Sequence, residues 1–391
     1  MRLTYVLLSA TFGMHQYTAD LANRMAQAGH EVHLVTTAAY PAHRYLPAIT
    51  VHTPIATRGT GFSPEGLDLP SLRRAIAAVM SLTTDNRPLT TDNRLLTTDN
   101  RPLTPDNCPL PAVHITGPHL WNLFLLAELR RARVPVAHTL HDLDPHLGTP
   151  YGPLLHLWNR EVLRLADHIL IHGARYRDRL LRMGLPAGRI TCTPLLHLFL
   201  GYTWLGQVED LAATVRHEPA ALCFGRLERY KGIDYLLTAW AMLARDGPAR
   251  LILAGPGKLE DLWAGALPPG VELHNHLIED VEALELFRRC GLLILPYTSA
   301  TQSALIPAAY FFRKPVIAAP SGALDEYVAD GETGWIVEPE HPASLARCLA
   351  HALADPERLA RMGAAGRAWY DGRRAAEERI LHRMYEQLAG G

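Results

Sequence analysis

The sequence of 391 residues lacks several features that mark large classes of proteins. Its five cysteines are scattered and form no Cys-x-x-Cys pair, which argues against a disulfide scaffold and predicts reduced thiols in a cytoplasmic protein. No apolar run approaches the roughly 18 residues of a membrane span, and Leu3 to Ala10 is too short for a signal sequence. The formal net charge is −1, so no basic field indicates nucleic acid as a partner.

What the sequence does contain is the composition of a globular protein, with 48% hydrophobic and 20% charged residues. The length suffices for two domains of ordinary size. Leu195 to Leu205 is the most apolar loop-like stretch. We expect it to pack in the core, and contact with a bilayer surface is the alternative.

Strand and helix patterns alternate from the first residues. The apolar run Leu3 to Leu8 is followed by a glycine turn at Phe12 to Tyr17, a helix, and a strand at Glu31 to Thr36. This order predicts a βαβ unit of a parallel sheet. Further parallel strands are predicted at Val113 to Thr116, Val136 to Leu140 and His168 to His172.

Residues 82–109 are a tandem repeat with a period of seven, beginning with Leu82-Thr-Thr-Asp-Asn-Arg-Pro88. Each unit has a single apolar residue, and Asp-Asn with frequent Pro disfavours a helix. Because so little can be buried, we expect a disordered insertion after a helix at Leu72 to Ser81. A binding arm is the alternative.

A second alternating series begins near Ala220 and predicts another parallel sheet. Its strands are expected at Ala220–Phe224, Arg250–Ala254, Val271–His274, Leu292–Leu295 and Pro315–Ala318, and its helices at Asp234–Ala244, Val281–Arg288, Ala304–Phe312, Ser344–Ala354 and Pro356–Gly363. Two doubly wound sheets would face each other across a cleft that holds the ligand.

The most informative motif follows the strand Ala220–Phe224. Gly225-Arg226 comes directly after this strand, and Lys231-Gly232 follows five residues later at the start of a helix-like apolar repeat. A strand would thus deliver two cations to a helix start, where free N–H groups and the helix dipole also favour an anion. This geometry suits a diphosphate, and two solvated surface cations are the alternative.

The Gly-Arg-x4-Lys-Gly motif resembles the donor-phosphate motif of GT-B glycosyltransferases, specifically the retaining family 4 type. Four later segments also resemble that family: Leu251 to Gly257, Leu292 to Pro296, Pro315 to Ala318, and Gly322 to Glu326 with the glycine-rich stretch after it. The resemblance implies an α/β fold of two Rossmann-like domains. We expect an N-terminal acceptor-side domain at 1–212, a nucleotide-sugar-binding domain at 213–371, and a C-terminal helix at 372–391 that packs back on the first domain.

The resemblance also implies the site residues. His141, Arg226 and Lys231 match the catalytic positions, with His141 near the donor hexose and the two cations on the departing diphosphate. Met14 and His15 match the acceptor-side loop. The implied donor contacts are Gly13, Gly225, Arg226, Lys231, Gly255, Ile278, Ser303, Ala304, Leu305 and Glu326.

A cluster of histidines and aspartates, His138 to His146, raises the question of a metal site. His138 and His141 are three residues apart in an extended segment, so their side chains point to opposite faces. We therefore expect no metal at these histidines. The resemblance implies no cofactor and a UDP- or GDP-sugar as the donor substrate. A hydrogen-bonded structural role for His141 stays open.

The sequence departs from the family pattern before the strand at Pro315. The family has two glutamates eight residues apart, which bind the sugar and the ribose, and the matching positions are Ala300 and Ala308. Neither alanine side chain can accept a hydrogen bond from a hydroxyl. The segment resembles a family 4 branch that has a Ser-Gly turn here, and backbone N–H groups at Ser303 to Leu305 could still cradle a phosphate.

The resulting expectation is a retaining glycosyltransferase of polysaccharide or glycolipid assembly. We expect it in the cytoplasm, with peripheral contact at the inner membrane face and a lipid-linked glycan acceptor as open alternatives. One rival is a non-catalytic GT-B protein that binds a nucleotide or a partner. The other is a nucleotide-sugar hydrolase or epimerase, for which Asp142, Asp144 and Glu326 are the candidate carboxylates.

Overall fold

The computed structural model describes residues 1–56, 61–62, 68–84, 111–143, 152–201, 208–214, 216–243 and 249–390. Most of the repeat at 82–109 lies outside this part of the chain, as do Asp144 and His146. Residues 82–84 end a helix that is longer than the predicted one.

The described residues form two parallel sheets. The first has seven strands in the order β3-β2-β1-β4-β5-β6-β7, and the second has six in the order β10-β9-β8-β11-β12-β13. The strands are β1 Arg2–Leu7, β2 Glu31–Thr37, β3 Thr50–Ile55, β4 Ala112–Ile115, β5 Val136–Thr139, β6 His168–Ile171, β7 Ile190–Cys192, β8 Ala220–Phe224, β9 Arg250–Ala254, β10 Val271–His274, β11 Leu292–Leu295, β12 Val316–Ala318 and β13 Gly334–Ile336. We call the two sheets with their flanking helices the N-terminal and C-terminal domains. The predicted α/β architecture of two Rossmann-like domains is confirmed.

Helices cover both faces of the sheets, as parallel strands require. They are α1 Phe12–Gln27, α2 Leu69–Thr84, α3 Asn122–Arg131, α4 Gly152–Leu165, α5 Ala174–Arg182, α6 Val208–Ala213, α7 Ile233–Ala241, α8 Asp280–Arg289, α9 Leu305–Phe311, α10 Pro342–Leu353 and α11 Pro356–Gly390. In the described ranges, no helix combines the length and the apolar character needed to cross a membrane.

The turn predicted at Phe12 to Tyr17 is wrong, because these residues already belong to α1. The amides of Met14 and His15 both donate to the carbonyl of Thr11, which begins the helix one residue before Phe12. Gly13 therefore lies in the first helical turn rather than in a loop.

The prediction of two separate C-terminal helices is also wrong, since α11 runs unbroken for 35 residues. Its internal glycines allow close packing rather than a break. A Cβ at Gly366 would lie 2.4 Å from the ring of Tyr310, and one at Gly363 would overlap the carbonyl oxygen of Arg313 at 1.9 Å. Both positions face α9 and the chain that follows it.

The last part of α11 packs against the N-terminal domain. Arg374 donates to both carboxylate oxygens of Asp20 at 2.9 and 2.6 Å, and the hydroxyls of Tyr385 and Tyr5 are 2.9 Å apart. Leu381 and Met384 are buried in the same apolar cluster as β1 and β2. The predicted domain boundaries at residues 212 and 371 stay predictions.

The apolar stretch that begins at Leu195 connects the two cores. Leu195 is buried in the N-terminal cluster, whereas Leu196, Phe199 and Leu200 are buried with residues of the C-terminal sheet. The described half of this stretch is therefore core and is not free to face a bilayer.

Candidate functional site

Two neighbouring strands of the C-terminal sheet end in glycines with left-handed backbone. Gly225 follows β8 with φ +98°, and Gly255 follows β9 with φ +141°. A Cβ at Gly255 would lie 2.3 Å from the carbonyl oxygen of Gly225. Only glycine fits this contact, and the absence of side chains leaves backbone open to a ligand at the carboxyl ends of the strands.

Lys231 lies directly beside this pair of turns. It ends a short 3-10 helix and is followed by Gly232, whose left-handed backbone (φ +65°) begins α7. Its Nζ donates to the Phe224 carbonyl at 3.3 Å and to the Tyr297 hydroxyl at 3.0 Å. A Cβ at Gly225 would lie 2.8 Å from that nitrogen, so glycine also keeps the lysine in place.

The ammonium of Lys231 is buried without a counter-charge. Its exposed fraction is 7%, and in the part of the chain that the structure describes no carboxylate reaches it within 4.0 Å. The ring of Tyr297 lies 4.9 Å from Nζ and offers a cation–π contact. Burial of a cation with only neutral partners is costly, and an anionic ligand would relieve that cost.

Arg226, the other predicted cation, lies in a different setting. Its side chain is 68% exposed, and Nη1 is 2.9 Å from the carboxylate of Glu228. An exposed ion pair of this kind contributes little to stability and can exchange partners readily. The structure therefore fixes the side chain of Lys231 in place, whereas the exposed side chain of Arg226 can change its conformation.

His141 lies at the end of β5, where the two domains meet. Its Nε2 donates to the Thr116 carbonyl at 2.9 Å, and burial lowers the pKa of the ring. Its own carbonyl accepts a 3.0 Å hydrogen bond from Nε2 of Gln302 in the C-terminal domain. His138 has different neighbours: its ring contacts Asn122 and Trp158.

The predicted phosphate cradle at Ser303 to Leu305 directly follows Gln302. The amide of Leu305 donates to the Ser303 hydroxyl at 3.3 Å, and Ala304 packs against the apolar cluster of the N-terminal domain. Ala308 is 1% exposed in the C-terminal core. The structure therefore brings this segment to His141 and buries Ala308, the position that the resemblance matches to a second glutamate.

The predicted acceptor-side residues lie on α1. His15 is buried, with Nδ1 2.7 Å from the Tyr45 hydroxyl, and burial with nearby Arg44 lowers its pKa to about 4. Met14 is half-buried, and the space beside the α-carbon of Gly13 is open, with nothing within 4 Å of a Cβ built there. Among Gly13, Met14 and His15, Gly13 is the residue whose backbone a ligand could reach.

Glu326 and Ile278 complete the predicted donor contacts. The Glu326 carboxylate accepts hydrogen bonds from the amides of Ala174 and Arg175 at 2.6 and 3.0 Å, so it joins the C-terminal domain to the start of α5. Ile278 is buried in the loop between β10 and α8. Any contact of Ile278 with a ligand would therefore use its backbone.

Sequence reasoning missed a network of buried polar rings in the N-terminal domain. The Tyr17 hydroxyl is 3.0 Å from the Thr139 hydroxyl, and the Tyr17 ring packs edge-on against His141, His172 and His197. Burial lowers the pKa of all three histidines, for His197 to about 4. The only signal in the sequence was a threonine or histidine at or just after the ends of β5 and β6, and it did not point to Tyr17 or His197.

A cavity of about 450 Å³ lies elsewhere, between α1 and α11. Its lining includes Asp20, Arg24, Arg44 and Arg374, and none of the predicted donor contacts. Its arginines already pair with carboxylates, Arg24 and Arg374 with Asp20 and Arg44 with Asp280, so the diphosphate chemistry points to the strand ends and not to this cavity.

Comparison with known families matches both parts of the chain. Residues 12–195 match the Glycosyl transferase 4-like domain, and residues 218–355 match Glycosyl transferases group 1. The first match contains α1 and His141, and the second contains Lys231, the glycine turns and Glu326.

Two relatives have named activities. A D-inositol 3-phosphate glycosyltransferase from Streptomyces avermitilis is 26% identical over 385 residues, which cover 90% of this chain and 78% of that protein. A GDP-mannose-dependent alpha-(1-6)-phosphatidylinositol monomannoside mannosyltransferase from Mycolicibacterium smegmatis is 33% identical over 172 residues, which cover 39% of this chain and 43% of that protein.

Among solved structures, HepE from Anabaena in complex with UDP superimposes with a TM-score of 0.70 at 16% identity, and the match covers 100% of both chains. At this identity the likeness shows the fold. Together with the two family matches, it places the chain among the glycosyltransferases of the GT-B fold.

Proposed function

We propose that the chain transfers a sugar from a nucleoside diphosphate sugar to an acceptor hydroxyl, with retention of the anomeric configuration. The observation that carries the proposal is the buried ammonium of Lys231, which lies against two backbone turns and has neutral partners only. A diphosphate at Gly225 and Gly255 would supply the missing negative charge.

In this proposal the enzyme accelerates the reaction mainly by stabilising the departing diphosphate. The charge of Lys231 is preorganised, because Tyr297 and the Phe224 carbonyl hold the nitrogen in place before the donor binds. Arg226 leaves Glu228 and adds a second positive charge. Preorganised charge of this kind is often the largest single contribution to catalysis.

His141 would lie beside the reacting sugar in this arrangement. Its neutral ring and its carbonyl are fixed by Thr116 and Gln302, so they can support positive charge that develops on the sugar ring. Gln302, together with Glu326 at α5, holds the domains together. Closure would exclude water and favour transfer over hydrolysis.

The relatives suggest which substrates to test first. HepE was solved with UDP, and the mannosyltransferase relative is named for GDP-mannose, so UDP- and GDP-sugars are the donors we propose. D-inositol 3-phosphate is the acceptor in the name of the longer match. A phosphorylated polyol or a lipid-linked glycan is the acceptor class that fits a cytoplasmic role in glycolipid or polysaccharide assembly, at most with peripheral membrane contact.

The proposal is tested by product analysis with UDP-glucose and GDP-mannose, each with and without D-inositol 3-phosphate. We expect an acceptor-dependent product with the donor's α-configuration, read by NMR, and far slower product formation with Lys231→Ala. An inverted anomer would contradict retention. A product that forms equally well without acceptor would favour a hydrolase or an epimerase.

One observation favours a second candidate, a non-catalytic GT-B protein. The resemblance matches Ala300 and the buried Ala308 to the two glutamates, and neither alanine offers a carboxylate that could hold the sugar or the ribose. This candidate predicts nucleotide binding that depends on Lys231, with no turnover for any donor and acceptor pair.

A further inference from the structure

Two histidines and a glutamate gather at the edge of the C-terminal sheet. His274 ends β10, His276 follows two residues later, and Glu282 lies in the first turn of α8. One ligating atom from each of the three lies within 4.8 Å of the others. We propose that these three side chains bind one Zn²⁺ ion.

Local geometry explains why the three side chains meet. Residues two apart in an extended chain share a face, so His274 and His276 point the same way from the sheet edge. The loop then leads into α8, where the Glu282 carboxylate contacts both rings. Its Oε1 is 2.8 Å from Nδ1 of His274, and its Oε2 is 2.9 Å from Nε2 of His276.

Glu272 fixes the orientation of the first ring. Its carboxylate lies 2.8 Å from Nε2 of His274 and is itself held by Arg289, which donates to both oxygens at 3.0 and 2.8 Å. The Glu272 carboxylate accepts from Nε2 of His274, so loss of the proton that Nδ1 shares with Glu282 would leave Nδ1 free to bind a metal ion. A carboxylate behind a histidine is the usual support for a metal-binding imidazole.

Without a metal, ring protons supply the positive charge between these nitrogens and the Glu282 carboxylate, at 2.8 Å for His274 and 2.9 Å for His276. A metal ion supplies that charge at once for both histidines. Zn²⁺ binds imidazole and carboxylate at about 2.0–2.2 Å, so tetrahedral ligand atoms are about 3.3 Å apart, a separation that small side-chain rotations would reach here.

The donor set selects the metal. Two imidazoles with one carboxylate favour Zn²⁺ over Mg²⁺ or Ca²⁺, which prefer oxygen ligands. Arg289 balances the charge of Glu272, so Glu282 provides the net negative charge. His276 is 56% exposed, which leaves room for a water molecule in the fourth position.

The ion would fix a loop that matters for the proposed donor site. His276 and Glu282 flank Ile278, and the start of the loop is tied to the β9 turn, where the amides of Gly255 and Gly257 donate to His274 and Asn275. This consequence rests on the proposed function: with Zn²⁺ bound, the loop is ordered in advance and the affinity for the nucleotide rises.

The test is calorimetric titration of the full chain with ZnCl2 alone and with MgCl2 alone. We expect one Zn²⁺ per chain and no Mg²⁺ at this site. His276→Ala and Glu282→Gln should each lower Zn²⁺ affinity at least tenfold, and Glu272→Gln by about 10–100-fold. His351→Ala, which removes an exposed histidine on α10, is the matched control and should bind Zn²⁺ as the wild type does.

If the cysteines bind the zinc instead, every one of these variants will still bind it. Equal Zn²⁺ affinity in the wild type and in His276→Ala would therefore overturn the proposal. Thermal unfolding without metal checks that the variants fold, and the visible spectrum of bound Co²⁺ reports tetrahedral coordination. UDP and GDP titrations with and without Zn²⁺ form a separate arm. Zinc binding without any nucleotide binding would leave the metal site standing and count against the transferase.

Discussion

The two domains share a parallel α/β architecture but differ in what stands at the carboxyl ends of their strands. In the C-terminal domain, β8 and β9 end in glycines, and the buried cation of Lys231 lies against them. In the N-terminal domain, the central strands end in threonines and histidines that bond to one another and to tyrosines.

This difference suits the two domains to different chemical groups of a ligand. Bare backbone with a fixed positive charge suits an anionic group such as a diphosphate. Neutral histidines, kept uncharged by burial, suit hydroxyl-rich ligands, because they offer hydrogen bonds without competing for the phosphate. Under the proposed function, the leaving group would therefore bind to the C-terminal domain, and the sugar and acceptor would contact the N-terminal domain.

The largest effect is expected from removing the fixed cation. Lys231→Ala, and likewise Arg226→Ala, should lower the rate of sugar transfer at least about 100-fold, the scale found when one preorganised charge-stabilising group is lost. Steady-state kinetics with the active donor measures this. Lys231→Met, which keeps most of the volume, guards against a folding defect.

Arg347→Ala, which removes an exposed charge from α10 of the same domain, is the matched control for both variants. Wild-type rates in Lys231→Ala and Arg226→Ala would contradict the assignment of the phosphate to the C-terminal domain. A large loss in Arg347→Ala would point instead to a general effect of net charge.

The second expected effect is a loss of stability in acid, which comes from the N-terminal domain. Burial lowers the pKa of His114 and His138 to about 3 and that of His197 to about 4. Each titrates near 6.5 when the chain unfolds, so the unfolded state binds more protons below that pH. The free energy of unfolding should fall by up to about 1.4 kcal/mol per pH unit for each such histidine as the pH drops from 6.5 towards 4.

Urea unfolding at pH 7.5, 6 and 5 measures this slope. His197→Gln should make it shallower, whereas His351→Gln, on the surface of the other domain, should leave it unchanged. A free energy of unfolding that stays constant from pH 7.5 to 5 would show that the network is not neutral and buried as described.

A smaller effect is expected where the domains touch. Gln302→Ala removes the hydrogen bond to the His141 carbonyl and should weaken apparent donor affinity by about 0.5–1.5 kcal/mol, or up to about tenfold, without changing the fold. Comparison of KM with that of Gln387→Ala, an exposed glutamine on α11, checks this. An unchanged KM would mean that this contact does not couple the two domains during binding.

The smallest expected effect is a gain in stability that should accompany a loss of activity. Gly13 is helical with open space at its Cβ position, so Gly13→Ala should raise the free energy of unfolding by about 0.4–1 kcal/mol. If a ligand approaches this backbone, the added methyl group should also slow transfer. Gly372→Ala on α11 is the matched control, and equal activity in both variants would remove Gly13 from the site.

The sequence allowed much of the C-terminal domain to be predicted. Strands β8 to β11 were predicted at their observed residues, because they are short apolar runs bounded by glycine and polar turns. The edge strands β3, β7 and β13 were missed, since their mixed composition carries no clear alternation. A helix was expected to end at Gly363, because the close packing of this glycine against the carbonyl of Arg313 cannot be read from one segment alone.

The candidate site could likewise be predicted only where its residues are close together in the sequence. Spacing placed Gly225 and Lys231 at one strand end, where the structure also has them. The partners of Lys231 and His141 were not predictable, since Tyr297 and Gln302 are far away in the chain and meet them only after folding. The same holds for His274, His276 and Glu282, whose spacing alone indicates no metal site.

The central claim is that the C-terminal domain holds a nucleoside diphosphate through Lys231. Thermal unfolding of the wild type and of Lys231→Met with UDP, GDP, ADP and dTDP in turn tests it most directly. A ligand at about 100 times its dissociation constant should add roughly 2.7 kcal/mol, a shift of several degrees for a chain of this size. We predict such a shift with UDP or GDP for the wild type and none for the variant; equal shifts in both proteins, or no shift with any of the four, would contradict the claim.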